Sequence, residues 1–135
     1  MKNSNFKILV AEDSEDIASL YKSSLEFRGY TVIVTNDGKA ELEIYEKELK
    51  KDDSKKPPFD LIISDNSMPE INGLDAGKKI LDLEPEQKFL FITGETDLIT
   101  ESLNVDGINI HVEQKPFNMG KMLDIVENMC KNLAV

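Results

Sequence analysis

Apolar residues in this chain come in short runs, and each run gives way to a stretch in which they recur at helical spacing. Lys7-Ile8-Leu9-Val10-Ala11 is the first predicted strand. Tyr30 to Thr35 is the second, and its Thr-Val-Ile-Val-Thr core is branched at Cβ, which favours extended backbone. Leu61-Ile62-Ile63 is a continuous run bounded by turn residues, as expected of a strand buried on both faces. Lys88 to Thr93 and Gly107 to Gln114 supply a fourth and a fifth strand.

The intervening segments read as helices. Ser14 is a predicted N-cap, with Glu15 and Asp16 placed favourably against the helix dipole. Ile17, Leu20, Tyr21, Ser24 and Leu25 form the stripe of that helix, and Gly29 stands where a C-terminal glycine belongs. After the turn Asn36-Asp37-Gly38, Lys39 to Lys51 is helix-favouring, with Leu42, Tyr45 and Leu49 inward. Lys50 to Pro58 is polar and proline-terminated, a surface loop without an assigned role. Gly73 allows a turn before a helix carrying Leu74, Gly77, Ile80 and Leu81, which closes near Pro85. Asp97 to Leu103 is a short helix candidate. Asn118 caps a last helix with Met119, Met122, Leu123, Val126, Cys130 and Leu133 at helical spacing. Ile125 and Met129 lie off that stripe; they either form an adaptable exposed surface or widen the buried face. Strand and helix alternate five times, which implies a parallel sheet with helices on both faces.

Composition narrows the function classes. A chain of 135 residues suits one domain with its own core, and an apolar content of 40% argues against disorder. The net charge of −10 argues against a basic surface for nucleic acid. Cys130 is the single cysteine, so no intrachain disulfide forms, which fits a reducing compartment. The N-terminal stretch lacks an apolar signal core, and no window is long enough to span a membrane. A soluble cytoplasmic protein is the expectation.

In a parallel α/β sheet the functional loops gather at the carboxyl ends of the strands. Four polar features fall there: Glu12-Asp13 after the first strand, Asp65 after the third, Thr93 after the fourth and Lys115 after the fifth. Clustered carboxylates repel one another unless something positive joins them, and a hard divalent cation such as Mg²⁺ meets that need. Lys115 and the Thr93 hydroxyl would then donate to an anion beside the metal. Such a place suits an acyl phosphate with an Asp nucleophile.

Glu12-Asp13, Asp65 with Met68-Pro69 and Gly73, Thr93-Gly94 and Lys115-Pro116-Phe117 together resemble the receiver domain of two-component response regulators. Each piece alone is weak; all in order, over nearly the whole chain, they are specific. The resemblance implies a flavodoxin-like, doubly wound (βα)5 fold with a five-stranded parallel sheet. It implies that Asp65 accepts a phosphoryl group from a phosphohistidine on a sensor histidine kinase or histidine phosphotransfer protein. Asp13 and Asp65 would ligate Mg²⁺ with the backbone carbonyl of Ser67, and Glu12 would act through water. Lys115 would contact the phosphoryl oxygens and Thr93 would move to bond one of them. Pro69 and Pro116 would shape the loops, and Ser67 and Glu95 would flank the path of a hydrolytic water. The expected role is that of a signalling receiver and not an enzyme, apart from its own phosphotransfer and slow autodephosphorylation.

The chain departs from the family at Val112, where a Tyr or Phe commonly precedes the Lys and swings inward on activation. His111, the single histidine, is placed by strand alternation on the opposite face, as a packed or surface residue. Residues 1–135 read as one receiver domain without an output domain, so signalling would pass by contact, onward in a relay or to a target protein through the last strand and helix. A homodimer is a further candidate assembly. Two other readings compete with this one. A phosphate-independent module of the same fold is favoured by Val112 and opposed by the intact Asp13, Asp65, Thr93 and Lys115. A haloacid-dehalogenase-like phosphohydrolase would need a second Asp two residues after the nucleophile, where Ser67 stands.

Overall fold

A computed structural model describes residues 6–51, 56–65, 72–106, 108–115 and 118–132. The elements run β1 (Lys7–Ala11), α1 (Glu15–Phe27), β2 (Thr31–Thr35), α2 (Gly38–Lys51), β3 (Leu61–Ser64), α3 (Gly73–Leu83), β4 (Phe89–Thr93), α4 (Thr96–Ser102), β5 (Ile110–Gln114) and α5 (Met119–Cys130). The strands form one sheet in the order β2-β1-β3-β4-β5, parallel throughout. This is the doubly wound architecture expected from the alternation. Its register sets Ala11 beside Ser64 and Thr93 beside Gln114, so the carboxyl ends of the inner strands finish close together.

Burial follows position in the sheet. Every residue of β3 and β4 is buried, whereas the edge strands β2 and β5 are only partly covered. One face packs Ile8, Val10, Leu61, Ile63, Leu90 and Ile92 under α1 and α5. The other packs Leu9, Ile62, Phe89 and Phe91 under α2, α3 and α4. Ser14, Asn72 and Asn118 cap α1, α3 and α5 by accepting N–H bonds from Ile17, Asp75 and Lys121. Asp37 accepts from Ala40 N–H at 2.7 Å and does the same for α2. Gly29 has φ 96°, the left-handed conformation expected after α1.

Several boundaries and faces differ from the sequence reading. β5 starts at Ile110, because Asp106 accepts the N–H groups of Ile108, Asn109 and Ile110 and holds the preceding residues in a loop. In α1 the buried face is Ala18, Tyr21 and Leu25. Ile17 and Leu20, assigned to the stripe, are 38% and 54% exposed, and the small Ala18 is buried in their stead. Ile125 and Met129 are buried, so α5 has a broad inner face and not an exposed apolar surface. Leu133 lies outside the described residues.

Glu41 had no signal in the sequence beyond its place among charged neighbours. It is fully buried in the first turn of α2, and its carboxylate oxygens have no hydrogen-bond partner among the described residues. Burial pushes its carboxyl up from 4.5 to about 8. Unfolded, the group ionises near 4.5, so between that value and about 8 the unfolded chain holds fewer protons than the folded one. Stability should therefore fall as pH rises through this window and be level on either side. Glu41→Gln should flatten the slope to the part that Glu12, itself pushed up to about 7, contributes, and add on the order of 3 kcal/mol at pH 7. Urea unfolding across the pH range checks both effects, and an unchanged slope in the variant would refute the assignment.

Candidate functional site

The ends of β1, β3, β4 and β5 carry the site. Glu12 follows β1 and is fixed by its backbone: its N–H donates to the Thr35 carbonyl at 3.0 Å, and its carbonyl accepts from the Asn36 amide at 3.1 Å. Asp65 follows β3, and its N–H donates to the Ala11 carbonyl at 3.0 Å. The ladder of the sheet thus extends one residue past the strands and aims both side chains upward. Glu12 and Asp65 are buried, while Asp13 beside them is exposed.

Carboxylate oxygens of Glu12, Asp13 and Asp65 lie within 4.8 Å of one another. The Lys115 ammonium is 3.0 Å from Asp65 and 3.9 Å from Glu12. Lys115 is held there by its own backbone, whose N–H donates to the Thr93 carbonyl at 2.9 Å. Burial pushes the Glu12 carboxyl up to about 7, and the Asp65 charge adds to this; the Ser14 N–H, 3.0 Å from its Oε2, and Lys115 pull the other way. Tyr21, read from sequence as a core residue, lies close enough to feel the same charges. Its hydroxyl is pushed up to about 12, chiefly by burial and then by Glu12 and Asp65. An all-oxygen set of three acids with open directions fits a hard divalent cation, and such an ion would relieve the crowding that raises Glu12.

Thr93 is fully buried, and its Oγ1 accepts the Glu95 N–H at 3.0 Å, just before α4. Glu95 itself is exposed. Val112 pairs with Phe91 in register and packs against the α2–α3–α4 face, while His111 bonds Glu113 at 2.6 Å on the other side of β5. The alternation expected for these two residues holds. Ser67, Met68, Pro69, Pro116 and Phe117 lie outside the described residues.

Gly73 has a different reason from the one its position suggested. It opens α3 with Asn72 as N-cap, and its φ is not in the left-handed region. A Cβ there would collide with the Asp65 carbonyl oxygen and approach Ser64 Oγ to 2.8 Å. Glycine lets the start of α3 lie directly against the backbone of Asp65.

A family model described as the response regulator receiver domain matches residues 8–127. The chain is 29% identical over 126 residues to the response regulator receiver protein CpdR of Brucella abortus, covering 91% of this chain and 95% of that one. It is 38% identical over 87 residues to the alkaline phosphatase synthesis transcriptional regulatory protein PhoP of Bacillus subtilis, covering 64% of this chain and 31% of that one. The chain therefore spans nearly all of the first relative and about a third of the second. Among solved structures, the response regulator TrrA of Thermotoga maritima, in complex with Mg²⁺–BeF, superposes with a TM-score of 0.70 at 24% identity, over 92% of this chain and 98% of that one.

Replacement of Gly73 tests the close approach. Gly73→Ala should cost about 1–3 kcal/mol, the usual penalty for forcing atoms into a filled site, despite the better helix propensity of alanine. Urea unfolding of the two proteins measures it, and an equally or more stable variant would show that the helix start has room to spare.

Proposed function

Because this chain belongs to the response regulator receiver domain family, we propose that it signals by accepting a phosphoryl group on Asp65 from a phosphohistidine. The observation that carries this reading is the placement of Asp65 at the end of β3, among the carboxylates of Glu12 and Asp13 with the Lys115 ammonium at 3.0 Å. In the transfer, an Asp65 carboxylate oxygen bonds phosphorus as the bond from phosphorus to the donor imidazole nitrogen breaks. The electron pair leaves with the imidazole, which then takes up a proton. Lys115, already paired with Asp65, is placed to turn to a phosphoryl oxygen.

In this reading Asp13, Asp65 and the Ser67 backbone carbonyl hold Mg²⁺, and Glu12 acts through water. The ion supplies charge neutralisation between the carboxylates and the incoming phosphoryl oxygens. Thr93 would leave the Glu95 N–H to bond the phosphoryl group, which frees the backbone where α4 begins. With Val112 in place of an aromatic, this start of α4 is the element through which the change would pass. Val112 also favours the second reading, a phosphate-independent interaction module. The phosphohydrolase reading has nothing further in its support. Residues 1–135 are taken as one receiver domain acting in the cytoplasm, with a sensor histidine kinase or phosphotransfer protein as donor and a target protein at the last strand and helix.

Incubation with acetyl phosphate and Mg²⁺, read by intact mass, tests the reading. Wild type should gain a phosphoryl group, Asp65→Asn should not, and omission of Mg²⁺ should prevent the gain. Asp13→Ala should weaken Mg²⁺ binding by at least about tenfold, the loss that even an outer partner of a metal site costs. Phosphorylation of Asp65→Asn to the wild-type level would overturn the assignment.

The lifetime of the phosphorylated state follows from access of water. In this reading the small side chain of Ser67 would leave room for in-line attack, while the exposed Glu95 has its charge screened by solvent. Ser67→Met should slow autodephosphorylation and Glu95→Ala should change it only modestly. Decay of radiolabelled protein after donor removal measures both, provided Mg²⁺ binding is retained. Equal decay of wild type and Ser67→Met would rule out steric control.

A further inference from the structure

Among the described residues the buried acids are Glu12, Asp65 and Glu41, and only Glu41 stands outside the candidate site. Neither of its carboxylate oxygens has a hydrogen-bond partner. Its direction follows from the residues below it on the same side of α2. Glu48, two turns on, pairs with Lys7 at the amino end of β1, and Tyr45 between them stacks on Phe59 just before β3. Glu41 therefore points at the sheet near the carboxyl ends of β1 and β3, where Ala11 pairs with Ser64 in register. The Ser64 hydroxyl is buried there and is likewise without a partner.

No charged group faces this carboxyl from the described elements around it. β2 and β3 carry no titratable side chain, and Lys7 of β1 is engaged by Glu48. Glu12 and Asp65, one residue past Ala11 and Ser64, alternate to the other face of the sheet, where Tyr21 feels both. Asp75, Lys78, Lys79 and Asp82 of α3 are exposed, as are Lys39, Glu43, Glu46 and Lys47 of α2, and Asp37 turns to the Ala40 N–H. Burial alone holds the Glu41 carboxyl up at about 8. The turn that bears it has room to move: a cleft of about 350 Å³, lined by Thr35, Ala40, Glu43, Ile44 and Lys47, runs along the β2 side of α2. The same turn is joined to the site. Asn36, next to the Asp37 that caps α2, donates its amide to the Glu12 carbonyl at 3.1 Å.

We propose that Glu41 is a proton-operated latch on the first turn of α2. Neutral, it lets that turn lie on the sheet; ionised, it draws the turn outward and releases Asn36 from Glu12. A buried carboxylate without a partner is costly, and lifting one helix end exposes it at less cost than unfolding the domain. The latch thus carries pH to the backbone that positions the acidic site. Lifted into water the carboxyl ionises near 4.5, so the open form gains about tenfold per pH unit from there to about 8 and is level above. The inference is independent of phosphorylation, and its test uses neither phosphoryl donor nor Mg²⁺.

Amide hydrogen exchange of the full chain in low urea, corrected for the pH dependence of free peptide, tests the latch. The reporters are the Glu41 N–H, bonded to the Asp37 carbonyl, and the Ala40 N–H, bonded to Asp37 Oδ1. The Ile62 N–H, bonded to the Lys88 carbonyl inside the sheet, is the reference for global unfolding. The reporters should exchange faster than the reference and respond little to urea, and their protection should fall about tenfold per unit between about pH 5 and 8. The Asn36 side-chain amide should follow them. Glu41→Gln should remove the slope and raise reporter protection on the order of a hundredfold at pH 7. Glu41→Leu should also remove the slope, and it decides the matter if the glutamine variant does not fold. Reporters that exchange only with Ile62, at its rate and with its urea dependence, overturn the proposal, since Glu41 is then exposed by global unfolding alone. A slope that persists in both variants overturns it as well, because another acid must then drive the opening. An Asn36 amide that stays protected while the turn opens overturns the link to the site.

Discussion

The ammonium of Lys115 sits 3.0 Å from Asp65 and 3.9 Å from Glu12, at the end of the sheet where the carboxylates of Glu12, Asp13 and Asp65 converge. Two of these acids are buried, and water is therefore a poor source of compensation for their charge. A single ammonium cannot balance three carboxylates, so the site takes up positive charge, either as a proton on Glu12 or as a cation. The rise of Glu12 to about 7 is the first of these responses. What keeps the acids from separating is the parallel register, which ties the Glu12 and Asp65 N–H groups to carbonyls of the neighbouring strands. The sheet is thus the device that holds like charges together.

That dependence explains why so much of the site could be read from the sequence. A parallel sheet of apolar strands brings its carboxyl ends to one edge, so Glu12, Asp13, Asp65, Thr93 and Lys115 had to be neighbours once the five strands were recognised. The strand runs were legible because β1, β3 and β4 are buried on both faces and so are apolar without interruption. Helix starts were legible at Ser14 and Asn118, where a short polar side chain stands next to an apolar stripe.

The rest depended on packing that spacing does not encode. Periodicity ranks large apolar residues as inward, but in α1 the small Ala18 is buried and Leu20 is left outside. Gly73 reads as a turn residue, yet it is required by the approach of α3 to the Asp65 backbone, a contact between segments whose distance no local pattern reveals. Glu41 resembles any other charge on a polar helix. Its burial follows from the way α2 lies on the sheet, and nothing beside it in the chain announces that.

Glu12 and Glu41 show what distinguishes a buried acid in a site from one that is only buried. Both are pushed up, and burial is the leading cause in both. Glu12, however, has the Ser14 N–H, Lys115 and two further carboxylates within reach, so a cation entering there is met by several oxygens at once. Glu41 has no hydrogen-bond partner among the described residues, and a cation there would find one buried carboxylate. In the first arrangement a bound cation would take the place of the proton. The second can only lose its proton at a cost to the fold. Clustering, more than burial or a raised pKa, is therefore what singles out the ends of β1 and β3 as the candidate site.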